Sequence, residues 1–109
     1  MASKSQLLKG SLEGCVLKII EIEKEVYGYD IFKILKNSGF NNISEGTLYP
    51  LYTRLQKNGY IKSEVKASEL GPSRKYFSLT DKGKEELESF ITEWNELSNI
   101  INGILKRTF

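Results

Sequence analysis

Hydroxyl, phenol and guanidinium groups crowd one short stretch of the sequence, Glu45-Gly46-Thr47-Leu48-Tyr49-Pro50-Leu51-Tyr52-Thr53-Arg54-Leu55. Thr47, Tyr49, Thr53 and Arg54, with Lys57 just beyond, supply donors, acceptors and cations, and no acid follows Glu45 until Glu64. The set contains no nucleophile beside a base and no metal-ligand cluster, so its chemistry is recognition: base edges in a DNA major groove and the phosphates that border it. Projected at about 100° per residue, Leu48, Leu51, Tyr52 and Leu55 fall on one side of a helix. Gly46, Pro50, Thr53 and Lys57 fall near the opposite side, flanked by Tyr49 and Arg54. One side suits a core and the other suits a groove. An ordinary surface helix would show the same division, so its neighbours decide.

Composition narrows the classes. A chain of 109 residues, 39% hydrophobic and 28% charged, fits one small globular domain. No apolar run approaches a membrane span, and the opening MASKSQLLKG lacks the basic-then-apolar order of a signal peptide, which points to a cytoplasmic protein with no membrane partner. The sequence has one cysteine and no histidine, which excludes an internal disulfide, a Ser-His or Cys-His catalytic pair and a thiolate or imidazole metal site. Neither paired carboxylates nor a glycine-rich phosphate loop is present, so the chain is read as neither an enzyme nor a cofactor carrier. A net charge of +2 says little, but its distribution says more. From Arg54 to Lys84, eight cations (Arg54, Lys57, Lys62, Lys66, Arg74, Lys75, Lys82, Lys84) face only Glu64, Glu69 and Asp81.

The flanking elements supply the context. Leu8, Leu12, Cys15, Val16, Ile19 and Ile20 recur at helical spacing and predict a first helix over about residues 5 to 25. Gly14 within it predicts close approach of another element, such as a helix from a partner chain, because a mid-helix glycine costs roughly 1 kcal/mol against alanine. Cys15, on the apolar face, reads as a buried structural thiol. Tyr27 to Lys36 predicts a short amphipathic helix stopped by Asn37-Ser38-Gly39, and Ser44 is the expected N-cap of the stretch that follows. Two such helices separated by a few polar residues form a helix-turn-helix. Pro50, with Gly46 four residues earlier, predicts a bend or a short 3₁₀ start in the second helix.

Asn58-Gly59 ends that helix. Tyr60 to Lys66 and Arg74 to Leu79 read as two strands, with Ile61 and Val65 opposite Phe77 and Leu79 on the buried face and Ala67 to Ser73 as the loop. A hairpin directly after a helix-turn-helix is a wing, and it would set Arg74 and Lys75 beside a duplex. Thr80 caps a last helix in which Leu87, Phe90, Trp94, Leu97, Ile101 and Ile104 alternate spacings of three and four, a coiled-coil seam. The expected fold is mainly α with a small β-hairpin. Residues 1–80 form a winged helix-turn-helix domain and residues 81–109 a C-terminal dimerisation helix, in one compact unit.

The strings LLKGSLEGCVLKII, YGYDI, GTLYPLYTRLQKNGYI and GPSRKYFSLTDKGKEEL, followed by the tryptophan-bearing helix, resemble the PadR family of bacterial transcriptional regulators over about Leu7 to Leu105. The resemblance implies a dimeric winged helix-turn-helix repressor of the family's short subgroup, with a single C-terminal helix. It gives a DNA-facing role to Tyr27, Gly28, Tyr29, Thr47, Tyr49, Pro50, Arg54, Arg74 and Lys75. Thr53 and Lys57 join them from the helix projection, and Ser44, the expected N-cap, is also counted with the DNA-facing set. Ser73 stands where many relatives carry proline or arginine, and Phe77 where tyrosine is commoner.

The functional reading is a homodimer on a pseudo-palindromic operator, released by a small planar aromatic or lipophilic effector. Lysines and arginines supply affinity through counterion release, and Arg54 or a wing arginine is the candidate reader of guanine. Leu12, Cys15, Val16, Phe90, Trp94, Leu97, Ile101 and Ile104 are expected at the dimer interface, with Phe90 and Trp94 either holding the effector or only filling the interface. The alternative is a winged-helix module that binds protein alone.

Overall fold

Leu12, Val16, Leu17 and Ile20 turn one face of the first helix inward, and around that face the remaining elements assemble. In a computed structural model, which describes residues 10–68 and 70–107, the order is α1 (Ser11–Glu23), β1 (Val26–Tyr27), α2 (Gly28–Asn37), α3 (Glu45–Lys57), β2 (Ile61–Ser68), β3 (Gly71–Leu79) and α4 (Asp81–Leu105). Positions 5–9 of the expected first helix lie outside the described residues. Ile31 and Leu35 of α2, Leu48, Leu51, Tyr52 and Leu55 of α3, Ile61, Phe77 and Leu87 complete the core.

The close approach expected at Gly14 is present, and its partner is in the same chain. A Cβ there would lie 2.1 Å from Cε1 of Phe90, so α1 rests directly on α4. Leu12 and Val16, expected on the dimer surface, are packed into the chain's own core instead, because they share the inward face of α1 with Leu17 and Ile20.

The stretch expected to open α2 begins as a strand. Val26 pairs with Phe77 and Tyr27 with Tyr76, so the wing is a three-stranded antiparallel sheet of order β1-β3-β2. Ser44 caps α3 as expected, its Oγ accepting from Thr47 N at 3.3 Å. The expected 3₁₀ start is reduced to a single bond of that type. One i→i−3 bond, Thr47 N to Ser44 O at 3.1 Å, tightens the first turn, and the α-helix then runs continuously through Pro50. The donor that Pro50 lacks would have met the carbonyl of Gly46, an exposed residue, so water can replace it. A Cβ on Gly46 would meet only Ser44 Oγ at 3.7 Å, so the proline does not require glycine there. At the other end, Tyr60 N bonds Leu55 O at 2.9 Å and Gly59 N bonds Gln56 O at 3.0 Å. With Gly59 at φ 81° this is a Schellman stop.

The strands of the hairpin reach further than the sequence suggests, to Ser68 and Gly71, leaving a much shorter connection than the expected 67–73 loop. Ile61 pairs with Leu79 and Ser63 with Phe77 as the alternation requires, but Val65 pairs with Lys75 and stays exposed, because the hairpin has by then left the helical body. Thr80 caps α4 and also donates its hydroxyl to Gly59 O at 2.6 Å, tying the start of α4 to the end of α3. Gly83 makes that junction possible, since a Cβ there would lie 2.0 Å from the carbonyl oxygen of Tyr60. Gly83→Ala should therefore lower the urea unfolding midpoint by an amount equivalent to about 1 to 3 kcal/mol despite alanine's better helix propensity. A raised midpoint would mean the backbone yields at no cost.

Candidate nucleic-acid interface

With Leu48, Leu51, Tyr52 and Leu55 buried, α3 leaves Gly46, Thr47, Tyr49, Pro50, Thr53, Arg54 and Lys57 exposed, the division expected from helical periodicity. The hydroxyls are partly committed. Thr53 Oγ1 donates to Tyr49 O at 3.0 Å, so toward a ligand it offers acceptance and a methyl group. Ser44 Oγ and Thr47 Oγ1 lie 3.0 Å apart with one hydroxyl donating to the other, and Ser44 Oγ also accepts from Thr47 N, which makes Ser44 first a cap. Arg54 does not extend freely. Its Nε and Nη2 both donate to Glu13 Oε1 of α1, at 3.0 and 2.8 Å.

Tyr52 fixes α3 against the elements beside it. Its hydroxyl donates to Gly28 O at 3.0 Å, and its ring packs 5.0 Å from Phe77. Burial pushes the phenol well above its ordinary pKa, with smaller contributions from Tyr49 and Glu45. Gly28, expected to face DNA, lies under these rings: a Cβ there would sit 3.3 Å from both Tyr52 and Phe77. Its glycine is explained by packing. A narrow cleft lined by Gly28, Tyr29, Phe32, Glu45, Leu48, Tyr49 and Tyr52 brings the first turn of α2 alongside α3.

From this cleft a ladder of rings climbs onto the wing. Centroids are 6.0 Å apart for Phe32 and Tyr29, 6.3 Å for Tyr29 and Tyr27, and 6.0 Å for Tyr27 and Tyr76. Cations stand over the rungs: Lys33 over Tyr29 at 5.4 Å, Arg74 over Tyr27 at 4.9 Å, and Lys66 over Tyr76 at 5.4 Å. Lys66 is also hydrogen-bonded to Glu25, which raises its pKa. Strand alternation separates the two expected wing cations. Arg74 shares a face with Tyr76, whereas Lys75 lies on the Phe77 side, opposite Val65. Tyr76, Lys33 and Glu13 are not marked out by the sequence, and Lys66 is marked only as one cation of the basic stretch from Arg54 to Lys84. The Arg74-x-Tyr76 alternation was the available signal for Tyr76; Glu13 had none, because its partner is far along the chain.

The second expected cluster divides as well. Phe90 and Trp94 stack, with centroids 6.2 Å apart and planes at 15°. Together with Gly14, Cys15, Lys18, Ile19, Leu35, Phe40, Leu87 and Ile91 they line an apolar groove of about 760 Å³ between α1, α2 and α4. Cys15 is half-buried there, and burial raises its thiol pKa, in keeping with an unreactive packing residue. Trp94, at the groove's edge, is exposed in the single chain, and beyond it α4 is uncovered, with Leu97, Ile100, Ile101, Ile104 and Leu105 all exposed. Among the described residues, no helix is long and apolar enough to cross a membrane.

A helix pair, the second helix capped by Ser44, with a three-stranded wing and a long closing helix defines a winged helix-turn-helix protein. Residues 16–89 match the model of the transcriptional regulator PadR-like family. A PadR-like transcriptional regulator from Bacillus cereus is 48% identical, with 94% of this chain and 99% of that one aligned at a TM-score of 0.84. A Streptococcus transcriptional regulator is 46% identical over 93% of this chain and 98% of its own, with a TM-score of 0.82. A PadR-like transcription factor from Bacteroides fragilis is 40% identical over 93% and 96%, with a TM-score of 0.77. The chain belongs to the PadR-like family: it is a DNA-binding transcriptional regulator and not an enzyme. The reading as a module that binds only protein is thereby set aside.

The Tyr52 anchor has a measurable signature. A phenol whose folded pKa exceeds its unfolded value of about 10 keeps its proton longer in the fold. Its contribution is therefore intact below about pH 10 and declines as pH rises past that point toward the folded value. Tyr52→Phe should cost about 0.5 to 1.5 kcal/mol at pH 7 and flatten the alkaline decline in stability. Equal alkaline slopes for the two proteins, followed by circular dichroism, would contradict the anchor.

Proposed function

We propose that the protein is a homodimeric, cytoplasmic repressor that lays α3 of each subunit in the major groove of one half of a pseudo-palindromic operator. The observation that carries this reading is the exposed face of α3, without an acid between Glu45 and Glu64, continued through Tyr49 and Tyr29 into the cation-topped ladder of the wing. Thr47, Tyr49, Pro50, Thr53 and Lys57 meet base edges and the bordering phosphates. Tyr27, Tyr29 and Arg74 follow the sugar-phosphate strand toward the minor groove, where phenols donate and the guanidinium releases counterions. Lys75, on the other face of the hairpin, contributes less.

Dimerisation rests on α4. Trp94, Leu97, Ile101 and Ile104 remain exposed along one stripe, too much apolar surface for a small monomer to leave in water. A two-fold pair of such helices also provides the two half-sites that one short recognition helix needs. The apolar groove opens onto the same stripe at Phe90 and Trp94, and its shape and lining suit a planar lipophilic effector. Occupancy changes DNA affinity only if it favours one spacing of the two α3 helices over another.

Binding to the duplex upstream of the protein's own gene should weaken steeply with salt, the slope giving the number of phosphates neutralised. In that assay Arg74→Ala should lower the slope by about one, with Lys75→Ala nearer wild type; the reverse order would place the other face of the wing on DNA. Leu97→Asp with Ile101→Asp should yield monomers by sedimentation and reduce operator affinity at least about a hundredfold, since only one half-site is then engaged. Titration with planar aromatic compounds should quench Trp94, the sole tryptophan, and weaken operator binding in parallel. Absence of quenching across the panel would leave Phe90 and Trp94 as packing alone.

A further inference from the structure

Arg54 is the guanidinium at the edge of the recognition face, and its partner comes from another element. Its Nε and Nη2 both donate to one oxygen of Glu13, at 3.0 and 2.8 Å, across 41 residues of sequence. A guanidinium held through two donors on one edge has its orientation restricted, and of its five N–H groups three remain free, pointing away from the carboxylate. The pair is open to water, with the Arg54 side chain 58% and the Glu13 side chain 38% exposed, and exposed pairs of this kind contribute little to folding.

Glu13 is itself firmly placed. The next residue, Gly14, is where α1 lies hardest on α4, with room for no Cβ between it and Phe90, so α1 cannot turn to carry Glu13 away. Leu12, on its other side, is buried in the core. The carboxylate is thus fixed on a helix that packs on α4 and reaches across to α3. A free arginine at this edge would attract any phosphate. A clamped one, with its charge largely neutralised, rewards only a duplex whose acceptors meet its remaining donors.

We infer that Glu13 is a positioning residue for operator recognition, which sets specificity by fixing Arg54 and suppressing its indiscriminate attraction to DNA. This rests on the reading that α3 enters the major groove. The probes are a duplex recovered by in vitro selection with the wild-type protein and a random-sequence duplex of equal length, each titrated over a salt series.

Glu13→Gln should bind random DNA more tightly, steepen its salt slope by about one, and cut the ratio of selected to random affinity about tenfold. Glu13→Asp keeps the charge but shortens the reach; the ratio should fall while the slope stays at wild type. On an Arg54→Ala background, Glu13→Gln should change neither quantity further. The inference is overturned if Glu13→Gln leaves ratio and slope at wild-type values, or if its effect persists in full without Arg54. Melting temperatures of the variants identify any loss due to unfolding, and Glu13→Asp then carries the test. Failure of the underlying reading looks different: the wild type itself would select no sequence, or Thr47→Ala, Tyr49→Ala and Lys57→Ala would leave the selected duplex bound as before.

Discussion

Tyr52 stands where α3, the first turn of α2 and the C-terminal part of β3 meet, and the relative placement of those three elements depends on that junction. Its hydroxyl holds the Gly28 carbonyl at 3.0 Å, its ring lies against Phe77, and Tyr49 meets it edge-on. A phenylalanine could fill nearly the same volume but could not satisfy a backbone acceptor brought so close to the core. Because Gly28 has no side chain, α2 can lie against both rings. The result is a fixed angle between α3 and the helix and wing beside it.

The sheet then separates two tasks by alternation alone. Phe77, Val26 and Ile61 face the core, while Tyr27, Tyr76, Arg74 and Lys66 face away from it, so one strand both anchors the wing and presents its ring-and-cation surface. The short strand β1 covers what would otherwise be the open edge of β3 and connects directly to α2, making the wing continuous with the helix-turn-helix. At the C-terminal end of α3, the close backbone approach at Gly83 and the Thr80 hydroxyl on Gly59 O join α3 to α4, so the long helix starts from a fixed point even though most of its length is uncovered.

What the sequence disclosed follows the range of the interactions concerned. Helical periodicity, the Ser44 and Thr80 caps and the Asn58-Gly59 stop are local, and each was legible. The inward face of α3 followed from the same periodicity. The contacts that escaped join distant residues: Val26 with Phe77, Gly14 with Phe90, Glu13 with Arg54. Gly14 advertised a close neighbour without saying that the neighbour lay in its own chain, and on that point hung the misplacement of Leu12 and Val16. Val65 kept the alternation of a buried strand after the hairpin had passed beyond anything able to bury it. Pattern reports which way a side chain points, and says nothing about whether a body waits there. At the site itself, residue types identified the α3 face, whereas the commitments of Thr53, Ser44 and Arg54 needed coordinates.

The pairing of β1 with β3 also orders events in time. Local helices close short loops and form early, but Val26 and Phe77 are separated by nearly half the chain, and the entropy of closing that loop must be met before the pairing returns anything. The hairpin of β2 and β3 can form by itself, yet it is aimed only when β1 joins it, and β1 is placed only when α1 and α2 have packed. The orientation of the wing therefore rests on closing a far longer loop than any contact within a helix requires, and the surface formed by α3 and the wing is complete only when that loop is closed.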